Sequence, residues 1–368
     1  MVRSDDYAAR YPGWSDWKWQ FAHRITTVEE LSKLMTLSQK EKSDISKCLE
    51  GFRMAITPYY ASLIDQSDPL DPIRRQCVPS IEETYPCEND MDDPLNELGD
   101  SPAPHIVHRY PDRVLLLVTL KCSMYCRHCT RRRVVGEEDK IIPEKSFQRA
   151  LRYISEHEEI RDVLISGGDP LVMGTNRLEH IIASLRAIPH VDIIRIGTRV
   201  PVVMPMRITG ELLDMVKKYQ PIWINTHFNH PREITADSER ACTAIVDAGI
   251  PLGNQSVLLK GVNDDVQVMK ELVLKLVHMR VRPYYLYQCD LSCGIGHFRT
   301  TVNKGIEIVH ELTGNISGYA VPKYVIDAPA GGGKIPVGYN YVISKDDREV
   351  VMENYKGITY KYPQPLEK

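Results

Sequence analysis

Cys122, Cys126 and Cys129 stand in the order Cys-x3-Cys-x2-Cys within residues 119–133. Thiolates are the normal protein ligands of iron–sulfur clusters, and a four-iron cube held by only three of them keeps one iron open to another ligand. A structural zinc site or plain buried thiols are the alternatives, but structural zinc usually takes a fourth ligand and Cys-x2-Cys pairs. The spacing therefore points to a [4Fe-4S] cluster with a vacant corner. A second reactive group ends the run Asp327-Ala328-Pro329-Ala330-Gly331-Gly332-Gly333-Lys334. This is not a phosphate-binding G-x4-G-K-[ST] loop, because Ala328 stands at the first glycine and Ile335 at the hydroxyl. A lysine on a loop almost free of side chains suits a Schiff base that must form and dissolve, with pyridoxal phosphate as its partner. A solvated loop lysine is the plainer alternative.

The elements that must position these groups follow from hydrophobic patterning. Short apolar runs at 114–119, 162–166, 192–197, 221–226, 252–258 and 281–287 read as strands. Amphipathic segments at 144–157, 177–187, 211–218, 238–248 and 266–279 read as helices between them. The expected fold class is α/β, a partial (β/α)6 TIM-like barrel with a helical N-terminal region, and a further strand at 321–327 is expected at its edge. Residues 1–108 are expected to form the helical region and a linker, 109–335 the barrel, and 336–368 a short extension. In the N-terminal region, residues 27–35 carry a Thr-capped amphipathic turn and 38–56 have helical spacing. The tryptophans at 14, 17 and 19 read as a packing face. Residues 68–104, rich in Pro, Asp, Asn and Ser, read as loop or linker.

In such barrels the loops at the C-terminal ends of the strands build the site. The triplet follows the first run. Ser166-Gly167-Gly168-Asp169-Pro170 follows the second, where glycines permit close backbone approach and Asp169 can accept from an ammonium group, or simply make a βα turn. Asn225-Thr226-His227-Phe228-Asn229-His230-Pro231 follows the fourth, and the fifth contains Gln255. His227 and His230 read as hydrogen-bonding pocket residues rather than metal ligands. Asp290 and Asp327 each end a strand; two carboxylates in one pocket repel unless a cation lies between them, so a basic ligand is expected and glutamate is disfavoured. A guanidinium would serve as well as an ammonium. The alternative is that each aspartate caps a helix or pairs with a nearby arginine.

The cysteine triplet after a strand resembles that of the radical S-adenosylmethionine enzymes, and Gly167-Gly168-Asp169 resembles that superfamily's Gly-Gly-Glu element. Together with Arg109-Tyr110-Pro111-Asp112-Arg113, the 225–231 stretch and the Lys334 loop, they resemble the lysine 2,3-aminomutase family from about Trp14 onward. The resemblance implies that Cys122, Cys126 and Cys129 hold the [4Fe-4S] cluster, whose open iron binds S-adenosyl-L-methionine. It implies that Lys334 carries pyridoxal 5'-phosphate, that Arg109, Tyr110 and Arg113 hold its phosphate, and that Arg131 pairs with the substrate carboxylate. Asp290 and Asp327 would grip the substrate side chain, while Ser166, Asp169, His227, Gln255 and Tyr287 match positions around S-adenosylmethionine. The implied reaction moves the α-amino group of a free basic amino acid, lysine before arginine, to the β-carbon. The same cofactors could instead desaturate arginine or lysine, or serve modification of a protein lysine; a structural zinc protein without catalysis is the remaining alternative. Departures from the family pattern are Ala330 in place of a glycine, Leu120-Lys121 before the first cysteine, Asp265 where larger members supply a zinc cysteine, and no cysteine after Cys293.

A net charge of −3 gives no sign of a polyanionic partner, so nucleic acid is not expected. The opening Met1-Val2-Arg3-Ser4-Asp5-Asp6-Tyr7 has no apolar core, and no run is long enough to span a bilayer. Nine cysteines in 368 residues, three of them clustered, fit a reducing compartment. The expectation is a cytoplasmic homo-oligomer served by an electron donor such as flavodoxin or ferredoxin.

Overall fold

The computed structural model of the protein describes residues 11–136 and 140–365; the charged opening and the last three residues lie outside the described residues. The N-terminal region contributes helices α1 (Trp17–Ala22), α2 (Val28–Ser32), α3 (Gln39–Leu49), α4 (Pro58–Ala61) and α5 (Pro72–Cys77). Capping boxes start α2 and α3: Thr27 with Glu30, and Ser38 with Glu41, each satisfy two orphan amides. Helix α3 ends at Leu49, short of the helical spacing expected to residue 56, because Glu50-Gly51 turns the chain and Ile56 pairs with Ile25 in a bridge. Trp14 is buried and Trp17 and Trp19 pack against the same core, as a packing face should.

A nine-stranded sheet follows, in chain order: β1 (Ile106–Tyr110), β2 (Arg113–Thr119), β3 (Asp162–Gly167), β4 (Ile193–Gly197), β5 (Ile222–Thr226), β6 (Leu252–Leu258), β7 (Arg282–Gln288), β8 (Lys323–Ala328) and β9 (Gly333–Pro336). Strands β2 to β8 are all parallel, and β1 and β9 close the two edges antiparallel. The six expected strands are all present. The further strand is a seventh full member of the parallel series, reached through its own helix. The crossover helices are α6 (Glu144–Glu156), α7 (Thr175–Arg186), α8 (Val200–Val203), α9 (Gly210–Lys217), α10 (Ala236–Asp247), α11 (Val266–His278) and α12 (Val302–Leu312).

Burial alternates along β2 to β6. In β3 to β5, Val163, Ile165, Ile194, Ile196, Ile222 and Ile224 are fully buried under the helices, while Leu164, Ser166, Arg195 and Asn225 are part-exposed on the opposite, inner face. Helix α6 supplies Phe147, Ala150 and Ile154 to this contact, spaced by three and four residues. Each such aliphatic side chain contributes about 1.5–3 kcal/mol by leaving water. The chemistry is thus confined to the inner face and the strand ends. A separate three-stranded antiparallel sheet, β10 (Val342–Lys345), β11 (Glu349–Glu353) and β12 (Thr359–Pro363), follows the last barrel strand. Among the described residues no helix is long and apolar enough to cross a membrane.

Candidate active site

The cysteine loop leaves the end of β2 and is stitched to the N-terminal region. Tyr125 N donates to Ala55 O and Arg127 N to Gln76 O, both at 2.9 Å. Arg127 is buried and donates through Nε to Glu83 Oε1 at 2.9 Å, and the same carboxylate takes Arg132. Arg24 Nη1 donates to the Cys122 carbonyl at 2.5 Å. The three thiols lie close enough to influence one another electrostatically: burial, and then Asp169 and the other two sulfurs, push Cys122 up, and burial followed by Cys126 does the same to Cys129. Arg199, just after β4, aims Nη1 at Cys126 Sγ from 2.7 Å. Three sulfurs on one loop, with a buried guanidinium on one of them, suit an anionic metal cluster, which would replace the unfavourable buried thiolates with metal–sulfur bonds.

Gly167 and Gly168 explain how the next loop reaches this one. A Cβ on Gly167 would lie 2.1 Å from the Thr119 carbonyl oxygen, and one on Gly168 equally close to that of Lys121. The chain edges run side by side, with Gly168 N bonded to Thr119 O and Asp169 N to Lys121 O, both at 2.7 Å. The glycines thus permit contact with the cysteine loop itself. The Asp169 carboxylate accepts from Leu171 N at 3.1 Å, Thr198 Oγ1 at 2.7 Å and Arg199 N at 2.7 Å, so much of its hydrogen-bonding capacity serves the turn. Ser166 lies on the inner face of β3, and Gln255 on that of β6 in register with Tyr285. His227 stacks on His128 with ring centroids 5.3 Å apart; burial, then Arg199, holds both imidazoles well below their usual range and therefore neutral. His230 caps a turn, its Nδ1 accepting from Arg232 N.

The Lys334 end of the site is built by β7, β8 and β9. Lys334 lies opposite Asp327 in the β8–β9 pair, and its Nζ reaches Asp327 Oδ1 at 3.0 Å. It also sits 5.3 Å from the centre of the Tyr287 ring. Burial and then Asp327 push the Asp290 carboxyl up to about 7, against the pull of Lys334. Burial and Asp327 likewise raise the Tyr287 hydroxyl. Lys334 N donates to Tyr110 Oη at 2.8 Å, and Arg113 stacks on the Tyr110 ring at 3.9 Å. Arg109 gives Nε to Asp100 Oδ2 at 2.8 Å and Nη2 to the Leu95 carbonyl. Of the group Arg109, Tyr110 and Arg113, the tight turn between β1 and β2 brings Tyr110 to the Lys334 backbone with Arg113 stacked on its ring, while Arg109 turns to Asp100 and Leu95. A lysine beside an aromatic ring and a tyrosine hydroxyl, with the Arg113 guanidinium stacked on that tyrosine, fits a phosphorylated aldehyde.

Arg131 joins the two ends. It lies within electrostatic range of Cys122 and Cys129, donates Nη1 to Gly167 O at 3.3 Å, and is clamped by Glu97, whose charge in turn reaches Asp290. Glu97, Glu83, Asp100 and Arg199 are site residues that sequence reasoning missed. Glu97 and Asp100 sit among loop acids with no local pattern; Glu83 is the third residue of a Ser80 capping box, a local signal, and Arg199 had one in its position directly after a strand.

Residues 116–273 match the model of the radical SAM superfamily, and residues 309–368 match the lysine-2,3-aminomutase family model. The chain is 58% identical to an L-lysine 2,3-aminomutase of Clostridium subterminale over 96% of its own length and 85% of that protein's. It is equally similar to the L-lysine 2,3-aminomutase of Acetoanaerobium sticklandii, with 58% identity over the same shares of both chains. A glutamate 2,3-aminomutase of Clostridioides difficile is 47% identical over 95% of this chain and 82% of that one. With 58% identity over 96% of its length, the chain belongs to the lysine 2,3-aminomutase family of radical SAM enzymes.

Proposed function

We propose that the protein is a pyridoxal phosphate-dependent 2,3-aminomutase of a free basic L-amino acid, L-lysine before L-arginine. The observation that carries this reading is the ammonium of Lys334 held 3.0 Å from Asp327, with the half-buried Asp290 beside it. Two carboxylates that already attract a cation form a subsite for a basic side chain, and they oppose the second carboxylate of glutamate. The 58% identity to relatives named for lysine supports the same choice.

In this reading Cys122, Cys126 and Cys129 hold the cluster. Ser166, Asp169, His227, Gln255 and Tyr287 surround S-adenosylmethionine, and Lys334 carries pyridoxal phosphate with its phosphate on Arg109, Tyr110 and Arg113. When bound, the cluster and S-adenosylmethionine supply a radical that abstracts hydrogen, and pyridoxal supplies a π-system through which nitrogen can migrate. The chain's own share is placement. Arg131 takes the α-carboxylate, Asp290 and Asp327 take the side chain, and the two grips stretch the substrate between cluster and lysine so that its β-carbon is presented in one orientation. The reading divides the chain into 1–108, whose described part is stitched to the cysteine loop, 109–335 as the catalytic barrel and 336–368 as a short extension. The reading further includes an electron donor such as flavodoxin or ferredoxin, a cytoplasmic location and a homo-oligomer.

The test is anaerobic incubation of the reconstituted protein with S-adenosylmethionine, reductant, and lysine, arginine or glutamate in turn, followed by product mass and connectivity. A β-amino isomer of lysine is expected. A product lighter by a pair of hydrogens would make the protein a desaturase, and turnover of glutamate but not lysine would overturn the subsite assignment.

A further inference from the structure

The stretch 90–100, linker by composition, runs along the mouth of the site and sets a carboxylate on each of several arginines. Asp90 takes Arg299 at 2.5 Å, Asp93 takes Arg133 at 3.0 Å and Asp100 takes Arg109 at 2.8 Å. Glu97 is the most enclosed of the four, with its side chain 8% exposed. Its contact with Arg131 is bidentate and confined to one edge of the guanidinium: Nε lies 2.9 and 3.0 Å from the two carboxylate oxygens, and Nη2 lies 2.6 Å from Oε1. Arg133 approaches the same carboxylate at 3.6 Å. On the other side Arg131 Nη1 donates to Gly167 O.

We propose that Glu97 is a positioning residue for substrate recognition, holding Arg131 by one edge so that its Nη1–Nη2 edge is presented to the substrate α-carboxylate. A guanidinium carries five N–H donors in a rigid plane. Glu97 uses the Nε–H and one Nη2–H, and Gly167 O one Nη1–H, which leaves one N–H on each terminal nitrogen. Those two face the same way and match the two oxygens of a carboxylate. Fixing two sides of the plane fixes the third. Both side chains are enclosed, Arg131 at 20% and Glu97 at 8% exposed, so water competes little with the clamp. This proposal rests on the assignment of Arg131 to the substrate carboxylate.

The test compares L-lysine with L-lysinamide, which keeps both amines but lacks the carboxylate. Binding is measured by anaerobic calorimetry on the holoenzyme, with cluster and pyridoxal phosphate bound and S-adenosylmethionine omitted so that nothing turns over. Glu97→Gln is expected to weaken lysine binding about tenfold, the worth of one charged hydrogen bond, and to leave lysinamide within about twofold. A structural role alone would weaken both ligands together. Equal losses, an unchanged lysine affinity, or tighter lysine binding, the mark of a competing carboxylate, would each overturn the proposal. Should the Gln variant not fold, Glu97→Asp draws the carboxylate back while keeping its charge, and must lose part of the preference for lysine over lysinamide or the proposal fails. Arg131→Gln tests the premise separately: if that variant still prefers lysine to lysinamide as the wild type does, the assignment of Arg131 itself is wrong.

Discussion

Asp290→Asn is the most informative change to the side-chain subsite. Burial, then the neighbouring Asp327, raises the Asp290 carboxyl to about 7, so near neutrality it is about half protonated while the pocket holds no substrate. A cationic side chain placed between the two carboxylates needs Asp290 ionised, and the apparent Kd for lysine then scales as 1 + 10^(pKa − pH). That factor is about 11 at pH 6, about 2 at pH 7 and about 1.1 at pH 8, so lysine affinity should rise about tenfold from pH 6 to pH 8. Binding at pH 7 should expel about half a proton, which calorimetry in two buffers of different ionisation enthalpy detects. Asparagine cannot ionise, so the variant should lose both the slope and the proton release. At pH 8 it should bind lysine more weakly by roughly 2–3 kcal/mol, the low end of the cost of breaking an enclosed charge pair. The stability sign is opposite. A carboxyl whose pKa the fold raises favours the fold while neutral, so the substrate-free wild type should lose stability as pH rises through about 7. A flat lysine affinity between pH 6 and pH 8 in the wild type, or a slope retained in Asp290→Asn, would refute the pairing of Asp290 with a cation.

Three other changes have defined outcomes. Glu83→Ala removes the buried partner shared by Arg127 and Arg132 and should cost about 3–5 kcal/mol in urea unfolding; a loss under about 1 kcal/mol would show that these arginines find other partners. Gly168→Ala puts a Cβ 2.1 Å from the Lys121 carbonyl oxygen and should lower iron bound per chain, whereas Gly174→Ala, with nothing within 4 Å, should leave it unchanged. Equal iron in both would mean that the loop approach is not needed for the cluster. Lys334→Ala should retain iron but no longer trap pyridoxal phosphate on borohydride reduction, and trapping that persists would assign the cofactor to another lysine.

The parallel strands were legible because each is a short, nearly continuous apolar run between turn residues, a pattern set by burial on the helix-covered face. Their ends then located Cys122, Asp169, His227, Asp290 and Asp327 without further information. The hairpin strand β1 was not legible. Its sequence Ile106-Val107-His108-Arg109-Tyr110 has only two buried residues, and its strand identity comes from pairing with β2. Lys334 was read on a flexible loop but sits in β9, a four-residue edge strand too short for periodicity to reveal. The acids of residues 90–100 were opaque for a different reason. Glu97 and Arg131 are 34 positions apart and Asp90 and Arg299 are 209 apart, so local composition shows a polar linker where tertiary structure makes a row of ion pairs.

The departures from the family pattern take on physical meaning at the same level. Leu120 and Lys121 act through their backbones: Leu120 N donates to Lys140 O and its carbonyl accepts from Gly136 N, while the Lys121 carbonyl accepts from Asp169 N. None of these bonds depends on the side chain. Asp265 caps α11, accepting from Gln267 N and Val268 N, a role that a cysteine fills poorly and that stabilises the helix by about 1 kcal/mol. Ala330 has φ 58° and ψ 33°, the left-handed conformation that a glycine would adopt freely, at a cost of roughly 1–2 kcal/mol for a residue with a Cβ. Its amide is held there by the Pro94 carbonyl at 2.9 Å, so the same linker that places Glu97 also keeps the glycine-like turn before Lys334. The substitutions therefore change how the loops are stabilised and fall outside the proposed substrate contacts Arg131, Asp290, Asp327 and Lys334. Substrate choice should follow those four side chains, and a different substrate preference would have to come from the residues that orient them.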